Sequence, residues 1–209
     1  MLEAAGVAVF ALTGALVAAR KGMDPFGFIL LATVTGVGGG TLRDLLLGRL
    51  VFWVRDPSDV FVCTAVALCC WGTAYLRPGL IDGWAGKRLL IWADAAGLAL
   101  FAVVGTLKAL DVGISPLSAI ALGAMTATFG GILRDILAGD RPMVLWSRDF
   151  YVTAAAAGAA MTAGLSLLVI EPVIVMAAGL ATGFGLRAGS MLFGWSFPGL
   201  PGPPPPAKD

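Results

Sequence analysis

Two Arg-Asp dipeptides, Arg43-Asp44 and Arg134-Asp135, stand inside long apolar runs of this 209-residue chain. Ionisable groups at membrane depth are expensive. They usually face a bundle interior or a wet path, and they mark ion routes or internal ion pairs. Just before each dipeptide lies a glycine cluster: Gly36, Gly38, Gly39 and Gly40 before the first, Gly130 and Gly131 before the second. Each glycine weakens a helix by roughly 1 kcal/mol relative to alanine. The helices that carry the clusters are therefore expected to break or kink there, freeing backbone groups that only protein or a water-filled cavity can satisfy. Close helix packing by small residues is the plainer alternative, and it is preferred for Gly14 and Gly105. Thr35 and Thr126 come shortly before the clusters, with Thr41 and Thr128 nearby. Their hydroxyls either line a polar path or bond back to the i−4 carbonyl. Consecutive helical residues point about 100° apart, which makes Arg43 and Asp44 poor partners. Crossed pairs are expected instead, Arg43 with Asp135 and Arg134 with Asp44, either locking two halves together or closing a path between them.

Other chemistries lack their parts. The chain has no histidine, which removes the commonest general base and metal ligand. Cys63, Cys69 and Cys70 sit in one apolar run and read as buried thiols. No nucleophile–base pair, metal cluster or phosphate-binding loop is visible, so no enzyme, resident metal or cofactor is expected. Net charge is +1 with no basic patch, which argues against a nucleic-acid partner.

The elements that must position these residues are membrane spans. Hydrophobic residues make up 58% of the chain and charged residues 13%, and the mean hydropathy is +0.91. Soluble domains carry about twice that share of charge. Seven apolar segments are legible: Leu2–Ala19, Phe26–Leu50, Val60–Leu76, Leu89–Leu110, Leu117–Leu145, Phe150–Ile170 and Val173–Phe193. Each approaches or exceeds the ~17–25 residues of a crossing. The first is read as a retained helix because Glu3 stands where a signal peptide needs basic residues. The tail 197–209 contains Pro203 to Pro206 and reads as non-helical.

Loop charge sets the orientation. One side collects Arg20, Lys21, Arg77, Lys87, Arg88, Arg141, Arg148, Arg187 and Lys208; the other collects Arg49, Arg55 and Lys108. The first side is taken as cytoplasmic, with the C-terminus, and the N-terminus is placed outside an inner or plasma membrane. Lys108 and Arg187 are read as snorkelling near span ends. Trp53, Trp92, Trp146 and Trp195 suit an interfacial belt.

The chain repeats itself at an offset of 91 residues. Between Ala4 and Gly48, 21 of 45 positions are identical to Ala95–Gly139 without a gap, including Pro25/Pro116, Gly39/Gly130 and both Arg-Asp dipeptides. Glu3 and Asp94 also correspond and are minor candidates for mouth residues. Three spans per repeat is an odd number, so the second copy enters from the opposite side. The expected plan is all-α: two inverted three-helix repeats, 1–88 and 89–171, then a seventh helix, 172–196. Inverted repeats are common in transport proteins, with the pathway at the repeat interface.

The duplicated Gly-Gly-x-x-Arg-Asp motif, three spans per copy and an added seventh together resemble the prokaryotic branch of the TRIC family, the trimeric intracellular cation channels. The likeness covers about Leu2–Phe193. It implies a homotrimer with one pore per subunit, a monovalent-cation and chiefly potassium channel, and a pore beside kinked second and fifth spans. By the same likeness the pore or gating residues are Gly38, Gly39, Gly40, Arg43 and Asp44 with Gly130, Gly131, Arg134 and Asp135, to which the repeat adds Thr35 and Thr126. Phe129 replaces the glycine that would match Gly38, so the half-sites differ. Animal members carry Lys-Glu-Val near the first cluster. Here Thr35, Gly36 and Val37 precede Gly38, and that motif's role does not carry over. The alternative is a secondary transporter for a small zwitterion such as glycine, since bacterial sequences of this type also bear a glycine-transporter label.

Overall fold

The computed structural model describes residues 2–196 except 78, 80, 82, 147, 148 and 169. The proline-rich tail 197–209, with Lys208, and Arg148 of the orientation count lie outside the described residues. The helices are α1 (Leu2–Arg20), α2 (Pro25–Leu46), α3 (Phe52–Arg55), α4 (Ser58–Leu76), α5 (Trp84–Leu110), α6 (Pro116–Leu137), α7 (Met143–Trp146), α8 (Val152–Ser166) and α9 (Pro172–Phe193). Among the described residues there is no strand, only an isolated bridge between Asp149 and Ser196.

Six helices, α1, α2, α4, α5, α6 and α9, are long and apolar enough to cross a bilayer, and the chain is a multi-pass membrane protein. The apolar helix α8 has 15 residues, fewer than the ~20 of a full span. The sequence boundaries shift where short elements intervene. The run expected over Phe26–Leu50 ends as α2 at Leu46, and that over Leu117–Leu145 divides into α6 and α7.

Local chemistry starts and stops the two glycine-bearing helices in the same way. Pro25 and Pro116 occupy the first turn, where a missing N–H is harmless. Asp24 accepts from the Gly27 N–H at 2.7 Å and Ser115 from the Ser118 N–H at 3.4 Å. Gly48 and Gly139 follow the helix ends with φ of 64° and 71°, a left-handed geometry that suits glycine.

The expected interruption of these helices is absent: α2 runs unbroken through Gly36–Gly40 and α6 through Gly130–Gly131. The physical reason is the solvent. A glycine loses about 1 kcal/mol in a helix, whereas a freed backbone group in hydrocarbon costs several. The glycines serve close approach instead. A Cβ on Gly39 would lie 2.1 Å from the Thr126 carbonyl oxygen, and one on Gly130 would lie 2.4 Å from that of Thr35. The helices α2 and α6 therefore cross antiparallel with their backbones touching. The helices α1 and α5 also pack antiparallel. A Cβ on Gly6 would meet the Phe101 ring at 3.1 Å and one on Gly97 the Phe10 ring at 2.4 Å. The two rings stack with centroids 5.2 Å apart at the centre of the buried apolar core.

Candidate functional site

Each Arg-Asp dipeptide ends a crossing helix and organises a buried ion cluster. In the first, Arg43 Nε donates to Asp44 Oδ1 at 2.8 Å and a terminal guanidinium nitrogen donates to Glu3 Oε1 at 2.9 Å. Lys108 Nζ donates to both Glu3 oxygens, at 2.7 and 2.6 Å. Asp44 Oδ2 accepts from the Phe52 N–H at 2.9 Å, which fixes the start of α3. In the second, Arg134 Nε donates to Asp135 Oδ1 at 2.9 Å, and its NH1 donates to Asp94 Oδ1 at 2.8 Å and to Thr13 Oγ1 at 3.0 Å. Asp135 Oδ2 accepts from the Met143 N–H at 2.9 Å, at the head of α7.

The expected crossed pairs do not form; each arginine pairs with the aspartate beside it. Along α5, Asp94 and Lys108 are fourteen residues apart, roughly 21 Å at 1.5 Å per residue. Asp94 holds the Arg134 cluster and Lys108 joins the Arg43 cluster, so the clusters occupy opposite ends of the bundle. Neither arginine reaches the other dipeptide; the two repeats meet instead at the crossing, where Gly39 lies against Thr126 and Gly130 against Thr35, and through contacts such as Lys108–Glu3 and Arg134–Thr13. The 100° argument failed because an arginine side chain is long enough to curl back at a helix terminus, and the aspartate's second oxygen is engaged by the next element.

The four threonines take their bland role. Thr35, Thr126, Thr41 and Thr128 donate to Leu31, Leu122, Val37 and Ala124 carbonyls at 2.5, 2.6, 2.8 and 2.9 Å. Thr41 also accepts from Trp53 Nε1 at 2.9 Å. The backbone carbonyls of Thr35 and Thr126, rather than their hydroxyls, face the opposite helix at the crossing.

Several partners escaped sequence reasoning. Glu3 and Asp94 rank with the dipeptides, and their correspondence at the repeat offset was the available signal. Lys108 does not snorkel; it neutralises Glu3 and lies 5.6 Å from the Phe52 ring centroid. Arg187 does not snorkel either: it is 1% exposed, inside α9. Thr13 was not singled out at all. Its counterpart at the 91-residue offset is Val104, which has no hydroxyl. One nitrogen of Arg43, NH1, is correspondingly buried without a hydrogen-bond partner among the described residues.

An all-helical membrane protein whose core holds two separated arginine–carboxylate clusters, joined by a glycine-lined helix crossing, belongs among proteins that handle charge within the bilayer. The sequence model of the family described as Glycine transporter matches residues 1–75 and 91–167. The UPF0126 inner membrane protein YadS of Escherichia coli is 41% identical over 160 residues, covering 75% of this chain and 73% of its own. The UPF0126 membrane protein YvgT of Bacillus subtilis is 34% identical over 208 residues, 95% of this chain and 94% of its own. A TRIC trimeric intracellular cation channel orthologue from Rhodobacter sphaeroides superposes with a TM-score of 0.86 at 47% identity, over 93% of this chain and 97% of that one. Another TRIC cation channel structure gives 0.83 at 29% identity over 98% of both chains. The chain belongs to this family, the TRIC family of its solved relatives. Those solved relatives are channels rather than enzymes, and the chain is not an enzyme.

Proposed function

We propose that the chain is a cation channel, selective for potassium among monovalent ions, working as a homotrimer with one path in each subunit. Its plan is two inverted three-helix repeats, 1–88 and 89–171, with the boundary at the head of α5, followed by α9 in 172–196. In it α8 completes seven crossings, the N-terminus lies outside and the C-terminus in the cytoplasm. The site is Gly38, Gly39, Gly40, Arg43, Asp44, Thr35 and their counterparts Gly130, Gly131, Arg134, Asp135 and Thr126.

The observation that carries this is the pair of buried ion clusters at the two ends of one tight helix crossing. In this reading the structure is the closed form. The glycine contacts seal the middle, and each arginine is held by carboxylates that a cation would otherwise use. Releasing the arginines exposes Asp44 and Asp135 to ions, and parting α2 from α6 uncovers the Thr35 and Thr126 carbonyls, the kind of oxygen that replaces an ion's hydration shell. Nothing like a TVGYG filter is present, so selectivity is expected to be modest.

Planar-bilayer recording of the purified protein under a KCl gradient tests this. Unitary currents reversing near the potassium potential are expected, with raised open probability in Arg43→Ala and Arg134→Ala. Unchanged conductance and open probability in both variants removes the latch mechanism. A silent bilayer, with saturable glycine counterflow into liposomes from the same preparation, replaces the channel with a transporter.

A further inference from the structure

A cavity of about 420 Å³ opens between the head of α5, the end of α9 and the start of α7. It is lined by Arg88, Trp92, Met143, Asp149, Arg187 and Ser190, among others. It lies away from the glycine crossing, and the Arg134 cluster meets it through Met143 and through Tyr151, whose hydroxyl bonds Asp94 and whose ring lies against Arg187. Arg187 is the unusual member. It is 1% exposed, yet its Nε and NH1 make no hydrogen bond among the described residues. The nearest carboxylate oxygen, Asp149 Oδ2, is 3.6 Å from NH1, an ion pair too long for a hydrogen bond. The Tyr151 ring lies 5.0 Å beneath the guanidinium, which helps the charge and leaves those two nitrogens without a hydrogen-bond acceptor among the described residues.

A guanidinium is always charged and presents donors in a fixed fork. Burying it with idle donors is costly unless a further acceptor completes the site. Arg88 supplies a second cation on the same cavity, stacked 4.6 Å from the Trp84 ring centroid. Two arginines against one aspartate leave the cavity with a net positive charge. Its other walls include Ile91, Met191 and Leu192, and Leu192 is 61% exposed.

We propose that this cavity binds a phosphate-bearing anion, with Arg187 and Arg88 as its ligands. Arginine forks match phosphate oxygens two at a time. The apolar wall beside them suits the glycerol and upper acyl carbons of an acidic phospholipid, while free phosphate would use the arginines alone. Because the Met143 N–H holds Asp135, the anion sits one residue from the Arg134 cluster.

The test is native mass spectrometry of the full chain in detergent with dioleoylphosphatidylglycerol or dioleoylphosphatidylcholine, and thermal unfolding with and without inorganic phosphate. Wild type is expected to retain phosphatidylglycerol over phosphatidylcholine, and Arg187→Gln and Arg88→Gln are each expected to weaken retention by about tenfold. Arg88 is exposed, so its variant folds even if Arg187→Gln does not. Phosphate that raises the unfolding midpoint in wild type alone, and displaces the lipid, supports the same site with the free anion as occupant. Equal retention of both lipids by wild type and Arg88→Gln, with no effect of phosphate, overturns the proposal.

Discussion

Replacing Gly39 by alanine asks how closely α2 and α6 need to touch. The new methyl would stand 2.1 Å from the Thr126 carbonyl oxygen. An ordinary contact begins near 3.4 Å, so the two backbones must part by roughly 1.3 Å. The obstacle is backbone, and no rotamer relieves it. Overpacking of this kind typically costs about 1–3 kcal/mol, against a helix-propensity gain of at most ~1 kcal/mol. A net loss of up to about 2 kcal/mol follows, and Gly130→Ala, at 2.4 Å from the Thr35 carbonyl, should follow with a slightly smaller loss. Gly72 and Gly164 are internal controls, since a Cβ at either meets nothing within 4 Å. Alanine there should leave stability unchanged or raise it by up to ~1 kcal/mol. Unfolding in mixed micelles, followed by circular dichroism, measures all four; 1.4 kcal/mol is a tenfold change in the unfolding constant. In bilayer recordings the two crossing variants should also spend more time open. If Gly39→Ala is as stable as Gly164→Ala, the crossing is not the tight contact on which the closed form depends.

The two ion clusters should differ in sensitivity. Asp94→Asn weakens the pairing of Arg134 where both side chains are almost fully buried, 1% and 2% exposed, and should lower stability by about 3 kcal/mol. Glu3→Gln, where the Glu3 side chain is 20% exposed, should lower it by about 1 kcal/mol in the same unfolding assay. Val104→Thr should raise stability by up to ~1 kcal/mol by giving Arg43 NH1 the hydroxyl that Thr13 gives Arg134; a loss would show that Val104 does not face Arg43. Lys21→Ala, which removes the exposed Lys21–Asp140 pair with side chains 35% and 45% accessible, should change stability by less than about 1 kcal/mol, and by less still at high salt.

Much of the fold could be read before any coordinates because hydropathy and capping act locally. The spans expected from Phe26 and Leu117 begin one residue earlier in the structure, at Pro25 and Pro116, behind the caps Asp24 and Ser115. The pairing of charges was harder, because it depends on distance along a bundle rather than along a sequence. Arg43 and Asp135 were matched by their place in the repeat, yet antiparallel packing sends corresponding residues to opposite ends. Lys108 and Arg187 looked like interfacial cations because hydropathy windows report where a span ends, and both sit near ends. Whether such a side chain reaches water or a carboxylate is decided by α1 beside Lys108 and by the α7–α8 link beside Arg187. The break expected at the glycines was misjudged for a related reason. Propensity measured in water says that they weaken helices; the presence of a second helix backbone at the same depth says why they are there.

Holding both copies of the repeat in one chain has a genetic consequence. Were two identical three-helix chains to associate across this crossing, every substitution would strike both halves at once. A phenylalanine beside one glycine pair would bring a second beside the other, and a lost threonine would strip both arginines of the same hydroxyl. A fused chain can change one half and keep the other. Gly38 with Phe129, and Thr13 with Val104, are such divergences, each confined to one copy of the repeat. The tandem chain can thus become directional, with one tightly held arginine and one incompletely held, from parts that began the same.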